Sequence, residues 1–231
     1  MKETILQNLT ELHGQIADAC EAYDRDMDDI TIVAVTKTHP PGIIRTVVAC
    51  GIHNIGESRL QEAEPKIQEV GPIARFHLVG HLQTNKVKKA VDLFDVIQSV
   101  DSPRLAAEIN RRAAEADRVI ECYVQVNTSG EEQKSGVEPD DALGLLEQIL
   151  PLPNVNVSGL MTVGPLTDDE ARIGAAFARC RKLFEKGRSL AGDQFDVLSM
   201  GMTGDFPIAI REGSTMIRIG TGIFGPRPPR D

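Results

Sequence analysis

The sequence predicts one domain over residues 1–231, a closed (β/α)8 barrel preceded by an extra N-terminal helix. Short β-branched runs recur eight times along the chain, and helical periodicity fills the gaps between them. Alternation of that kind produces a parallel sheet with helical crossovers. Eight such units also use a length of 231 residues completely, within the usual size of this barrel. An open doubly wound sheet is the alternative topology. The first strand lacks the GxGxxG turn that a dinucleotide-binding sheet of that kind carries.

Residues 2–22 place Ile5, Leu6, Leu9, Leu12 and Ile16 at helical spacing. Strands follow at 31–36, 52–56, 75–79, 94–98, 119–126, 155–160, 195–199 and 215–219. Helices lie between them at 40–50, 59–70, 84–91, 103–116, 138–149, 168–190 and 205–212. Ser102-Pro103 sets a cap residue before a proline at the first helical position, and Pro40 follows the same logic. Thr167 with Glu170 fits a capping box. The tail from Pro226 to Asp231 looks loose.

Composition excludes several classes. With 41% hydrophobic residues and 26% charged, the chain is an ordinary globular one and not disordered. Twenty-five Lys and Arg against 34 Asp and Glu leave a net charge of −9, which argues against binding duplex nucleic acid. Glu3, Glu11 and Asp18 interrupt the first apolar segment, so no signal peptide is expected. No apolar run approaches the ~20 residues needed to cross a bilayer. Cys20, Cys50, Cys122 and Cys180 are widely spaced, as reduced core thiols would be. A cytoplasmic monomer is expected.

Barrel chemistry sits at the carboxyl ends of the strands, and polar residues cluster there. Lys37 shares a strand face with Val33 and Val35. A lysine on such a dry face either escapes to solvent, pairs with a carboxylate, or serves as a neutral amine able to form a Schiff base. Arg218 points away from Ile217 and Ile219 in the eighth strand, and it needs a fixed acceptor from a carboxylate or a ligand. Gly201, Thr203 and Gly204 follow strand seven, and Gly220-Thr221-Gly222 follow strand eight. Such turns either simply reverse the chain or bind a phosphate. A lysine, an arginine and a phosphate cup together describe a ligand with an aldehyde, a ring nitrogen and a phosphate. Pyridoxal 5′-phosphate has all three.

The segments VAVTKTHP (33–40), FHLVGHLQTNK (76–86), VNTSGEEQKSG (126–136), GLMTVGP (159–165), LSMGMTGDF (198–206) and GSTMIRIGTGIFGPR (213–227) carry a further inference. In that order they resemble the pyridoxal phosphate homeostasis proteins, single-domain relatives of the alanine racemase barrel. The resemblance implies that Lys37 carries the cofactor as an aldimine and that Arg218 faces the pyridine nitrogen. It implies that Ser199, Thr203, Gly220 and Thr221 cup the phosphate, while Asn54 and Met161 line the ring. Ser58 departs from the Asn usual in the family, and Thr203 from the usual Ser. The implied role is storage or delivery of the cofactor to apo forms of pyridoxal-dependent enzymes.

Two enzymatic alternatives remain: a weak amino-acid racemase using Lys37, and a Schiff-base aldolase acting on a phosphorylated substrate. Alanine racemase takes its second base, a tyrosine, from an additional domain and its dimer partner. The two tyrosines here, Tyr23 and Tyr123, read as lying away from the carboxyl face. His77 and His81 are four apart without an HExxH, so no metal site is expected. Glu57, Glu131 and Lys134 read as loop charges, and residues 127–137 as a polar loop long enough to form a lid.

Overall fold

In the computed structural model, residues 2–131 and 133–226 are described. The eight strands are β1 (Thr31–Val35), β2 (Asn54–Glu57), β3 (Arg75–Leu78), β4 (Val96–Val100), β5 (Ile120–Gln125), β6 (Val155–Met161), β7 (Val197–Ser199) and β8 (Met216–Ile219). They pair in sequence order, and β1 closes on β8 in parallel register, with Val33 beside Arg218. The predicted barrel is therefore the observed one, and the open sheet is excluded.

Helices α2 (Pro41–Val48), α3 (Leu60–Val70), α4 (Val87–Leu93), α5 (Pro103–Glu115), α6 (Ala142–Ile149), α7 (Glu170–Ala191) and α8 (Phe206–Arg211) form the outer ring. A short α9 (Thr221–Phe224) follows β8. The additional helix α1 (Lys2–Ala22) buries Ile5, Leu9, Leu12 and Ile16, and its neighbours are α8 and α9. Asn8 Nδ2 ties it to the Ile223 carbonyl at 2.8 Å.

Local signals explain several helix starts. Ser102 caps α5 by accepting from the Leu105 N–H, with Pro103 at the first helical position. Pro40 is itself the cap of α2, and Pro41 holds the first position. The expected box at Thr167 does not form. Asp169 caps α7 instead, accepting from the Ala171 and Arg172 N–H groups. A carboxylate two residues nearer the helix satisfies two end donors, where Thr167 Oγ accepts only from the Asp169 N–H. Residues 227–231, which include most of the expected loose tail, lie outside the described residues.

Three strands start two residues later than their apolar runs predict, among them β7, which starts at Val197 rather than residue 195. Strand β2 starts at Asn54 rather than residue 52, and β4 at Val96 rather than residue 94. Phe94 still belongs to the outer core, ending α4. Apolarity marks burial, and burial begins before the ladder does. The shift in β2 matters for the site.

The core has two compartments. A large outer one lies between strands and helices. A smaller one inside the barrel holds Val33, Val96, Tyr123, Met161 and Met216. Burying each large apolar side chain contributes about 1.5–3 kcal/mol. The interior plug is not purely apolar, since His77, Gln98, Ser199 and Arg218 share it and are all buried. Among the described residues, no helix is long and apolar enough to cross a membrane.

Candidate functional site

A cavity of about 440 Å³ opens at the carboxyl mouth of the barrel, lined by Val35, Lys37, Ser58, Val79, Val163, Met202, Thr203, Gly204, Arg218, Gly220 and Thr221. Period-two alternation explains the lining. Lys37 continues the face of Val33 and Val35, Ser58 that of Gly56, Val79 that of His77, and Gly220 that of Arg218. A Cβ on Gly56 would meet the side chains of Val33 at 3.0 Å and Val35 at 3.2 Å, so β2 leaves room at this level.

Lys37 is held from behind. Thr36 points outward and is fully buried, donating to Glu57 Oε1 at 2.7 Å. Lys66 Nζ from α3 bonds the same Oε1 at 2.8 Å and the Thr36 carbonyl at 2.9 Å. Glu62 Oε2 accepts from the Thr38 N–H at 3.2 Å, and Thr38 takes a left-handed φ of 69°. A left-handed threonine is strained, and three anchors from β2 and α3 hold the turn in it. Glu57 therefore is not a loop charge; it ends β2 as half of a buried ion pair.

Arg218 forms part of the cavity floor. Its Nη1 donates to Ser199 Oγ at 2.7 Å and its Nη2 to the Thr162 carbonyl at 2.8 Å. Among the described residues it makes no ion pair with a carboxylate, although Asp205 lies near enough to favour its charged form. Burial pushes Arg218 down to about 10, which leaves it charged at neutral pH. Asp205 is raised above the usual carboxylate range, chiefly by burial.

Thr203 Oγ accepts from the Gly222 N–H at 3.1 Å, joining the loops after β7 and β8. That leaves the hydroxyl proton to be donated elsewhere. Gly201 has a φ of 97°, and a Cβ there would stand 2.6 Å from Ala209 Cβ, so only glycine lets this loop pack on α8.

Among the residues named from sequence, the cavity unites Lys37, Arg218, Thr203, Gly220 and Thr221, with Ser58 beside them. Three others sit elsewhere. Ser199 is fully buried one layer below, between Arg218 and Gln98, because the loop after β7 climbs over it. Asn54 stands at the amino end of β2, about 10 Å below Glu57 at strand rise, and bonds His77. The late start of β2 makes Asn54 its first residue. Met161 belongs to the interior plug, and Val163, two residues on, reaches the cavity.

Tyr123 is in the middle of β5. Its hydroxyl points toward the amino end, donating to Glu121 Oε1 at 2.9 Å, and burial raises it well above the ordinary phenol range. Tyr23 follows α1 and is partly exposed. Loop 127–137 is pinned at several points. Lys134 Nζ bonds Glu131 Oε1 at 3.0 Å and the Gly164 carbonyl at 2.7 Å, and Gln125 Nε2 bonds the Ser135 carbonyl at 2.9 Å. The Lys134 hydrogen bond draws Glu131 below its ordinary range. His81 pairs with Asp101 at 3.6 Å.

Sequence reasoning missed His77 and Gln98 as members of the site's foundation. His77 stands two residues before the cavity-lining Val79, which was the available signal for it; Gln98, on β4, has no cavity-lining residue two positions away.

The chemistry of the donor set fits pyridoxal phosphate. A primary amine, a fixed cation on the floor, an aliphatic wall of Val35, Val79 and Val163, and a threonine-glycine rim surround a space adequate for one small aromatic phosphate. Bound there, that group would supply an aldehyde able to form an imine with an amine.

The family described as alanine racemase, N-terminal domain, matches residues 14–228. A pyridoxal phosphate homeostasis protein of Aquifex aeolicus is 38% identical over 96% of this chain and 97% of its own length. One of Haemophilus influenzae is 37% identical over 96% of each chain. The structure of PipY from Synechococcus elongatus with pyridoxal phosphate bound is 36% identical, with a TM-score of 0.83, covering 96% of this chain and all of that one. Alanine racemase of Clostridium difficile shares the fold at 15% identity and a TM-score of 0.79, with 98% of this chain covering 58% of that one. With sequence and barrel in agreement over nearly the whole length, this chain belongs to the pyridoxal phosphate homeostasis protein family.

Proposed function

We propose that this protein binds pyridoxal 5′-phosphate at the carboxyl mouth of its barrel and acts in intracellular vitamin B6 homeostasis, holding the cofactor and releasing it to apoenzymes. The observation that carries this reading is one cavity in which Lys37, Arg218, Thr203, Gly220 and Thr221 meet. Lys37 Nζ is the covalent attachment point. Arg218 keeps a ring nitrogen facing it unprotonated, because a permanent cation disfavours a second one. Such a ring is a poor electron sink, which disfavours transaminase chemistry. Thr203, Gly220 and Thr221 receive the phosphate.

A holding role rather than a catalytic one is supported by the tyrosines. Neither Tyr23 nor Tyr123 lines the cavity, so a two-base racemase has no tyrosine for the second face. The test is mass spectrometry after borohydride reduction of protein loaded with pyridoxal phosphate. A mass increment on Lys37 is expected, and a colourless protein that takes up no cofactor would refute the reading. Loss of optical rotation from an L-amino acid, dependent on Lys37, would replace the carrier with a racemase.

A further inference from the structure

Below the cavity, hydrogen bonds cross the barrel in a single chain. Arg218 Nη1 meets Ser199 Oγ at 2.7 Å, Ser199 Oγ meets Gln98 Oε1 at 2.8 Å, Gln98 Nε2 meets His77 Nδ1 at 3.0 Å, and His77 Nε2 meets Asn54 Oδ1 at 3.0 Å. The direction of every bond follows from Arg218. A guanidinium only donates, so Ser199 accepts from it and must send its own proton to Gln98 Oε1. The amide of Gln98 is thereby oriented with Nε2 toward His77. His77 Nδ1 must then accept, which leaves the ring neutral with its proton on Nε2, directed at Asn54. Gln98 Nε2 has a second, weaker acceptor in Met216 Sδ at 3.4 Å. Ser199, Gln98 and His77 are at most 1% exposed, so water does not offer them alternative partners.

We infer that Gln98 and His77 are positioning residues for Arg218: with Ser199 they form a one-way relay that keeps a lone pair aimed at the guanidinium and so fixes the face Arg218 presents to the cavity. This deepens the reading of the cavity as a pyridoxal phosphate site and rests on it. It also gives Ser199 a task other than contacting phosphate. Burial alone would be met equally well by leucine at these positions. The chain of polar groups adds orientation, because each member has only one arrangement that satisfies its neighbours.

The experiment has two arms. In the first, nitrogen-15 NMR of the protein without added cofactor reads the tautomer of His77 between pH 6 and 8. A neutral ring carrying its proton on Nε2 is expected, and a proton on Nδ1 overturns the relay. Gln98→Glu provides the internal check, since a carboxylate still accepts from Ser199 but cannot donate to His77. His77 Nδ1 should then carry a proton and donate to the carboxylate, and a proton that stays on Nε2 alone also overturns the relay.

In the second arm, the visible band and release rate of bound pyridoxal phosphate are compared across variants. Gln98→Leu and His77→Leu should shift the band and speed release about tenfold, the effect of one weakened hydrogen bond to a charged group. His77→Asn, which restores a carbonyl oxygen near Nδ1, should return both to wild-type values. Folded leucine variants with unchanged band and release rate refute the inference, as does an Asn variant no better than Leu. Should the leucine variants not fold, the Gln98→Glu tautomer measurement still decides. If the wild type takes up no cofactor, the binding-site reading fails, and the first arm judges the relay by itself.

Discussion

The two mouths of this barrel are built from similar residue types and differ in how their charges are arranged. The amino mouth carries the larger hollow, about 510 Å³, lined by Arg75 and Arg118 together with Asp95 and Glu121. There each cation meets an acid: Arg75 pairs with Glu121, and Arg118 lies 3.2 Å from Asp95. Glu121 Oε1 also accepts from Tyr123 and Ser158, at 2.9 and 2.8 Å, so the cluster satisfies itself. The carboxyl mouth, at about 440 Å³, has Lys37 and Arg218 in its wall and no acid among its lining residues. Volume is therefore a poor guide to function here. A mouth whose lining pairs its own cations with its own acids closes the barrel, whereas one whose lining presents an amine, a guanidinium and glycine-threonine turns is suited to an anion.

The comparison can be broken most severely at Lys37. Lys37→Ala should abolish the borohydride-fixed mass increment and the visible band, with only weak binding through Thr203, Gly220 and Thr221 remaining. A band of wild-type intensity would remove Lys37 from the assignment.

Behind the same mouth, Glu57→Gln breaks a buried pair whose side chains are 0% and 9% exposed, leaving Lys66 uncompensated. A loss of about 3–5 kcal/mol is expected in urea unfolding. Glu57→Gln with Lys66→Met should lose clearly less, because no buried charge is then left alone. Equal losses would mean that packing, not charge, holds the turn at Lys37.

His77 gives the comparison a pH dependence. Burial, with a smaller contribution from Arg75, pushes it down to about 3. The unfolded chain, with an ordinary histidine near 6.5, binds more protons between those values. Stability from this group is therefore complete above about pH 6.5 and falls by about 1.4 kcal/mol per unit as the pH drops toward 3. Urea midpoints measured from pH 7 to 4 should decline less steeply for His77→Asn than for wild type. Parallel declines would assign the acid sensitivity to carboxylates alone.

Smaller again is Thr203→Val, which removes one hydroxyl from the rim. Affinity for pyridoxal phosphate should fall about tenfold by equilibrium titration, the value of one hydrogen bond to a charged oxygen. Unchanged affinity would place the phosphate elsewhere. The smallest effect belongs to the opposite mouth. Arg75→Ala deletes one half of a partly exposed pair and should cost about 1 kcal/mol or less. It should leave the cofactor's band untouched, and a shifted band would show the two mouths to be coupled.

Some of this was legible in residue order, and some was not. Alternation placed Lys37 on the inward face of β1 and Arg218 on that of β8, and the glycines around Thr203 and Thr221 marked the rim. All of these are local signals with period two or a turn. Ser199, Asn54 and Met161 lie away from the cavity lining for one reason: a period of two tells which face a residue takes but not how far along the barrel axis it stands. A start two residues late in β2 puts Asn54 at the amino end, and the climb of the loop after β7 seals Ser199 beneath it. The Thr167 box lost to Asp169 because two residue types with nearly equal capping power stood two positions apart.

The sequence by itself determined the barrel, because eight apolar runs spaced by helices have one compact way to bury both faces. It also placed two cations, Lys37 and Arg218, on inward strand faces, where a charge has to be explained by something it meets. Only the tertiary structure decided depth and partnership. Strand tilt and stagger set which side chains share a layer, and that brought Gln98 from β4 and His77 from β3 under Arg218 of β8, although they stand 120 and 141 positions before it in the chain, an association that no local pattern encodes.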